Sequence, residues 1–291
     1  MYTTPLNVLW IALAGTATGA LGAVLGTGGG VFLIPVLVLS LGVPMHYAVA
    51  TSLVSVIATS SAVASTNVER GTANMRLGMT LEVATSVGAI LGGYGAGWLS
   101  AYMLEGLFGI VLLPTAVLMW LGRVEEGAKE SLHADRPPSG SYPCDLEAIG
   151  ALGGRYYDDQ EQCVVAYGVR RLSAGLAVSS LAGAVSGLLG IGGGIFKVPT
   201  LHLLCSVPIK AAAATSNFMI GVTAAASAFL YYGRGEVRPV LTAATVLGVL
   251  LGSALGSHLN RRLRASGVRR LFAVLLLAVA GQMLYRAWFP G

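Results

Sequence analysis

The chain has 291 residues, of which 55% are hydrophobic and only 11% charged, with 40 glycines and a formal net charge of +5. A soluble domain typically carries about 25% charged residues, so this composition excludes an ordinary water-soluble fold and makes lipid the solvent. No basic face for nucleic acid is implied, and the placement of Lys and Arg says more than their sum in a membrane protein.

The amino terminus, Met1-Tyr-Thr-Thr-Pro-Leu-Asn, has no positive n-region, so the first apolar run is expected as a retained span and not a signal peptide. Long apolar stretches fall at about 6–26, 47–67, 77–99, 103–121, 172–190, 211–232, 239–260 and 268–288. Each is near the roughly 20 residues needed to cross the hydrocarbon core. Two shorter runs, about 31–42 and 195–206, each follow a glycine cluster and end at Val-Pro. Some 12 helical residues reach only about 18 Å, which predicts half-length or re-entrant helices.

The two glycine clusters reveal a duplication. Gly26-Thr-Gly-Gly-Gly-Val-Phe-Leu-Ile-Pro35 returns as Gly190-Ile-Gly-Gly-Gly-Ile-Phe-Lys-Val-Pro199, an offset of 164 residues. The same offset carries Val43-Pro44 onto Val207-Pro208, Thr51-Ser52 onto Thr215-Ser216, Arg70-Gly71 onto Arg234-Gly235, and Gly88 and Gly92 onto Gly252 and Gly256. The expected fold is an all-α polytopic membrane protein made of two repeats of five helical segments each. Eight segments are long spans and two are short broken or re-entrant helices.

An odd number of segments per half requires the second repeat to be inserted upside down. With the linker 122–170 in the cytoplasm, Arg70, Arg76, Lys210, Arg261, Arg262, Arg264, Arg269 and Arg270 fall inside, and only Arg234, Arg238 and Arg286 outside. That bias favours inverted repeats with both termini outside. The expected divisions are a first transmembrane repeat at 1–121, the linker at 122–170 and a second repeat at 171–291. Within the linker, 154–170 reads as two short strands around a polar turn, a candidate β-hairpin.

Glycines recur four apart at Gly15/Gly19, Gly22/Gly26, Gly88/Gly92, Gly93/Gly97, Gly183/Gly187 and Gly248/Gly252/Gly256. Such stripes let helices approach closely in lipid and are read as packing. Cys144, Cys163 and Cys205 are odd in number and lack C-x-x-C spacing, so neither a disulfide framework nor a zinc site is supported. No H-E-x-x-H, G-x-S-x-G or phosphate-binding loop is present, so neither enzyme nor cofactor is expected.

The candidate chemistry lies at the glycine clusters. Glycine permits positive φ and lets a ligand approach the main chain, and a helix starting after Gly28, Gly29 and Gly30, or after Gly192, Gly193 and Gly194, directs unpaired N–H groups toward an anion. Lys197, whose repeat partner is Leu33, is an ionisable residue inside a broken helix and a functional candidate by default. Three readings of it stay open: neutralising a bound anion, snorkelling to an interface, or pairing with a carboxylate such as Glu82. Thr51, Ser52, Thr215, Ser216 and Asn217 begin the next helix of each half, where they either donate to substrate oxygens or bond their own backbone. Asn217 replaces Leu53, a second polar asymmetry. His202 is read as a packing histidine, and Glu82 as a shallow, solvated carboxylate near the cytoplasmic end of its helix.

At Ser186-Gly-Leu-Leu-Gly-Ile-Gly-Gly-Gly-Ile-Phe-Lys-Val-Pro199 and Ala213-Ala-Thr-Ser-Asn217 the sequence resembles the sulfite exporter TauE/SafE family of membrane permeases. The resemblance covers nearly all of the chain outside about 122–150. It implies a secondary transporter in a bacterial or archaeal plasma membrane, moving sulfur-containing oxyanions such as sulfite, thiosulfate or organosulfonates, with coupling to protons or another ion left open. The competing classes are a passive anion channel and a non-transporting membrane subunit. The oligomeric state stays undetermined at this level.

Overall fold

The computed structural model describes residues 5–25, 29–120, 151–158, 163–259 and 265–288. The first half comprises α1 (Pro5–Leu25), α2 (Gly30–Pro35), α3 (Met45–Glu69), α4 (Met75–Ala96) and α5 (Ala101–Trp120). After the hairpin strands β1 (Gly154–Asp158) and β2 (Cys163–Tyr167) come α6 (Leu172–Leu189), α7 (Gly194–Pro199), α8 (Ile209–Gly233), α9 (Pro239–Leu259) and α10 (Ala265–Trp288). The fold is mostly helical, and its only sheet among the described residues is the antiparallel hairpin.

Local signals recur at matching places in both halves. In α2 and α7 a proline, Pro35 or Pro199, cannot donate to the preceding turn, and the helix widens there into a π-helical turn, Val36–Ser40 or Thr200–Leu204. Each broken helix is therefore about 16 Å long, half a bilayer. Pro44 (ψ 142°) and Pro208 (ψ 140°) cap α3 and α8 from extended backbone. Both of those helices end in a left-handed glycine, Gly71 (φ 65°) or Gly235 (φ 73°), the usual way to stop a helix.

The helices pack chiefly on helices of the other half. A Cβ at Gly248, Gly252 or Gly256 of α9 would fall on the carbonyl of Ala12, Thr16 or Ala20 of α1. The ascending order on both helices makes α1 and α9 parallel. Gly183 and Gly187 of α6 meet Thr85 and Ala89 of α4 in the same way, and Gly88 and Gly92 meet Ser180 and Ala184, so α4 and α6 are also parallel. With backbones in contact, dispersion replaces the hydrophobic driving force that lipid cannot supply. The stripes Gly15/Gly19, Gly88/Gly92, Gly183/Gly187 and Gly248/Gly252/Gly256 are thus packing surfaces, as expected, while Gly26 lies outside the described residues.

The other contacts fix more directions. Arg238 lies over Tyr47 and Thr51 pairs with Thr242, which runs α3 parallel to α9. Thr215 and Phe218 border Gly78, and Ser227 and Leu230 border Gly93, so α4 and α8 are parallel. Gly106 meets Ala287 while Gly109 meets Leu284 and Ala280, which sets α5 antiparallel to α10.

Opposite the glycine face of α4, Val83, Val87 and Leu91 are exposed, and Leu247, Leu251 and Leu255 are exposed on α9. These i, i+4 rows are surfaces that lipid would cover. Met45–Glu69, Leu172–Leu189, Ile209–Gly233 and Pro239–Gly256 are long and apolar enough to cross a membrane. That criterion is met by four of the eight expected long spans; the other four runs form α1, α4, α5 and α10, helices of 21, 22, 20 and 24 residues.

The expected hairpin forms, with Gly154 opposite Tyr167 and Asp158 opposite Cys163. It docks on one end of the bundle, where Tyr156 is buried in a cluster with Leu77, Leu81, Leu201, Val207 and Met219. Asn74 joins the parts: its Oδ1 caps α4 at Leu77 N, its Nδ2 donates to Leu152 O, and its backbone N donates to Thr215 Oγ1. Burial of the Tyr167 phenol against this seam raises its pKa above the ordinary tyrosine value, opposed by its hydrogen bond with Asn74. The rest of the linker up to residue 150, including Cys144, lies outside the described residues, as do the chain ends.

Candidate functional site

Both glycine turns begin their half-helices from a left-handed residue. Gly29 has φ 76° and Gly193 φ 74°, and each carbonyl accepts the first helical bonds, from Phe32 and Leu33 and from Phe196 and Lys197. In the second turn Gly190 (φ 69°) and Gly192 (φ 78°) are left-handed as well. These are positions where an L side chain is strained, which accounts for the glycines physically. Gly28 falls outside the described residues.

The two turns, 164 residues apart in sequence, come together beside α3. Ser52 Oγ donates to Gly190 O at 2.9 Å and lies 3.3 Å from Gly30 O. A Cβ on Gly192 would meet Val56 of α3 and Ile220 of α8 at 2.9 Å, and one on Gly194 would meet Ile220 at 2.6 Å. Gly29, Gly30, Gly192, Gly193, Gly194 and Ser52 are all buried. Backbone groups of both glycine turns thus meet inside the bundle, and the first N–H groups of the half-helices, those of Gly30 and Gly194, precede any intrahelical bond.

The remaining candidates divide. Ser216, the repeat partner of Ser52, is fully buried and its Oγ has no hydrogen-bond partner. Asn217 is half-buried. Thr51 faces Thr242 at 3.5 Å. Thr215 accepts the Asn74 amide at the hairpin seam and so serves the joint between α4 and α8. His202 donates to or accepts nothing at Nε2, while Nδ1 lies 2.9 Å from Val207 O, consistent with packing.

Lys197 is 1% exposed and pairs with Glu82, Nζ to Oε2, at 3.3 Å. Its ammonium also donates to Thr223 Oγ1. Thr223 in turn donates to Glu82 Oε1 at 2.6 Å, and Ser86 donates to the same oxygen at 3.1 Å. The expectation of a shallow, solvated Glu82 is therefore corrected: the residue is 5% exposed. Although it lies only two turns into α4, α8 flanks that stretch and the hairpin covers the helix end, so distance from the helix start is not distance from water.

Sequence reasoning missed Thr223, Ser86 and Ser186. Ser186 is fully buried with an unpartnered Oγ, and a Cβ on Gly193 would stand 3.5 Å from that oxygen. Its repeat partner is Gly22, so the same comparison that singled out Lys197 against Leu33 carries the signal for Ser186.

Long apolar helices, lipid-facing rows and paired half-helices around an internal polar centre define a multi-pass membrane protein of the transporter class. The model of the sulfite exporter TauE/SafE family matches residues 11–283. The chain belongs to that family. A "probable membrane transporter protein YunE" of Bacillus subtilis is 24% identical over 98% of this chain and 100% of its own length. A "probable membrane transporter protein" of Xylella fastidiosa (strain 9a5c) is 27% identical over 97% and 96%. One of Methanocaldococcus jannaschii with the same description is 24% identical over 91% of each chain. No solved structure matches the chain.

Proposed function

We propose that the protein is a secondary transporter that carries small sulfur-containing oxyanions, of the sulfite, thiosulfate or organosulfonate type, across the plasma membrane by alternating access. The observation that carries this reading is the meeting of the two glycine turns at Ser52. Main-chain groups at broken helices are tolerated in a bilayer where they line a site. The turn residues Gly28, Gly29, Gly30, Gly192, Gly193 and Gly194 would supply N–H donors, and Ser52, Ser216 and Asn217 hydroxyl or amide groups, with Lys197 as the adjacent positive charge. Thr51 and Thr215 sit at the edges of this set.

The inverted arrangement of repeats 1–121 and 171–291 is supported by the helix directions. α1, α3 and α9 share one direction, α4, α6 and α8 the other, and α5 opposes α10. Each long helix then runs against its repeat partner. The arginine bias supports a cytoplasmic linker 122–170 with both termini outside.

The test is a thermal-shift series on purified protein with sulfite, sulfate, thiosulfate, sulfoacetate and taurine, followed by flux into proteoliposomes. A ligand at about 100 times its Kd stabilises the native state by about 2.7 kcal/mol. Saturable flux of the stabilising anion supports the transporter; flux that never saturates makes the protein a channel.

A further inference from the structure

Glu82 of the first half meets Lys197 and Thr223 of the second in a charged cluster whose repeat-related place carries no ionisable residue. The repeat offset carries Lys197 onto Leu33, Thr223 onto Thr59 and Glu82 onto Val246. Leu33 is fully buried. The same place in the architecture is thus filled once by hydrocarbon and once by an ion pair. Packing does not require the charges, since a buried ion pair gains little over well-packed apolar residues. An ionisable pair kept inside a membrane bundle points instead to ion or substrate movement.

Its attachments narrow that role. Lys197 belongs to the first turn of α7, its amide bonded to Gly193 O at 3.1 Å, so the ammonium rides on the glycine turn itself. Glu82 belongs to α4, which is locked backbone to backbone on α6 through Gly88, Gly92, Gly183 and Gly187. Thr223 Oγ1 has two acceptors for its one hydrogen, Glu82 Oε1 at 2.6 Å and Met219 O at 2.9 Å. Turned toward Met219, the hydroxyl oxygen is free to accept a proton carried by Glu82. The carboxyl group therefore has a partner in either protonation state.

The charged and titratable groups around Glu82 are few. α6 contains none; α7 brings Lys197 and, beyond Pro199, His202, whose Nδ1 is engaged with Val207 O. α8 carries Lys210 at its start and Tyr231 and Tyr232 at its end, α4 itself has Arg76 and Tyr94, the hairpin brings Arg155, Tyr156, Tyr157, Asp158, Cys163 and Tyr167 to the end of α4, and Cys205 is buried in the same cluster as Leu81. Among the described residues Lys197 is the one charged group paired with the carboxylate, which also accepts from Thr223 and Ser86.

We propose that Glu82 is a proton-binding site linked to anion binding: it takes up a proton as Lys197 exchanges it for an anion held at the Gly192–Gly194 turn. This rests on the anion reading above. Before the exchange the cluster holds one negative and one positive charge. Afterwards Glu82 is neutral, Lys197 remains an ammonium, and a monovalent anion supplies the negative charge. The net charge stays at zero, as a low-dielectric interior demands. Without the proton the same step would leave an unbalanced carboxylate among helices. Anion and proton therefore travel together, one for one.

The experiment uses the purified full chain and methanesulfonate, which remains a monoanion over the working range. Calorimetry in two buffers of different ionisation enthalpy gives the protons taken up per anion bound. The wild type should take up about one, with affinity falling as pH rises. Glu82→Gln should bind with no proton uptake and no pH dependence, while Glu105→Gln, on α5, keeps both. Proton uptake that survives in Glu82→Gln, or is missing from the wild type, overturns the proposal. A second readout stands without any bound anion: infrared titration should show protonated-carboxyl absorption growing as pH falls, with one component kept in Glu105→Gln and lost in Glu82→Gln. A wild type that fails to bind methanesulfonate yet shows this band sinks the anion reading and leaves the proton site; no Glu82 band sinks the proton site. Should Glu82→Gln not fold, the Glu82→Val/Lys197→Leu pair, copied from Val246 and Leu33, takes its place.

Discussion

Ser52 of α3 donates its hydroxyl hydrogen to the carbonyl of Gly190, 138 residues further along the chain and 2.9 Å away. Gly190 caps the end of α6 in a left-handed conformation, so its carbonyl has no successor in the helix to bond. One hydroxyl therefore ties the first half's third helix to the second half's glycine turn, with Gly30 O 3.3 Å from the same oxygen.

Ser52→Ala should leave that buried carbonyl unpaired, at a cost of about 1–3 kcal/mol. The expected outcome is a lower melting temperature in detergent together with weaker anion binding, read by the same thermal-shift series with and without ligand. A variant as stable as the wild type would mean that the carbonyl finds another donor.

Gly193→Val is expected to abolish transport while leaving a measurable folded fraction. A non-glycine residue at φ 74° costs about 1–2 kcal/mol, and the new Cβ would press on Ser186 Cβ at 3.3 Å. Gly29→Val carries the same strain at φ 76°, but its nearest neighbour is 3.5 Å away. It should therefore fold better than Gly193→Val and lose transport alike. Full flux through monodisperse Gly193→Val would reduce the turn to a packing device.

The repeat made much of this readable in advance. Because Gly29 and Gly193, or Pro35 and Pro199, recur at one offset, the broken helices and their turns could be placed from residues alone, and so could the asymmetry of Lys197 against Leu33. The pairing of Glu82 with Lys197 stood among the readings, but the burial of Glu82 was not readable, because it comes from α8 and the hairpin, elements distant in sequence. Thr215 looked like a site hydroxyl for the same reason that Ser52 does; the difference is Asn74, which reaches Thr215 only through the tertiary packing of α4 on α8. Nor could the stripes name their partners. Gly248, Gly252 and Gly256 announce a close contact, but that it is with α1 follows from the assembled bundle.

Gly252→Leu should separate α1 from α9, since even a Cβ there falls on the Thr16 carbonyl. A whole isobutyl group cannot be absorbed by side-chain adjustment when the neighbour is backbone. Size-exclusion profiles should show loss of the monodisperse species. Leu251→Ala, one residue away on the exposed row, should leave the profile unchanged.

Lys197→Met is expected to do two things at once. Removing the ammonium leaves Glu82 buried without its partner, which costs about 3–5 kcal/mol, and weakens binding of anionic substrates by about tenfold or more, about 1.4 kcal/mol. Lys197→Arg should rescue only part of the binding, because a planar fork does not replace a compact ammonium. Adding Glu82→Val to Lys197→Met should restore the melting temperature but not the affinity. Calorimetry on the double variant showing wild-type affinity would make the lysine purely structural.

Glu69 and Gly233 end α3 and α8 at matching points of the two repeats, and both are exposed. Gly233 has open space around the position of a Cβ, so cysteine is tolerated there. With Cys144, Cys163 and Cys205 replaced by serine, Glu69→Cys and Gly233→Cys can each be probed with an impermeant thiol reagent in intact cells and in inverted vesicles. α3 and α8 run in opposite directions, since α8 is parallel to α4 and α4 returns from α3 through the tight turn at Gly71. Inverted repeats then put the two cysteines on opposite faces: Glu69→Cys, beside Arg70 and Arg76, should react only from the cytoplasm, and Gly233→Cys only from outside. Parallel repeats would expose both to the same face, and labelling of both from one side would end the inverted reading.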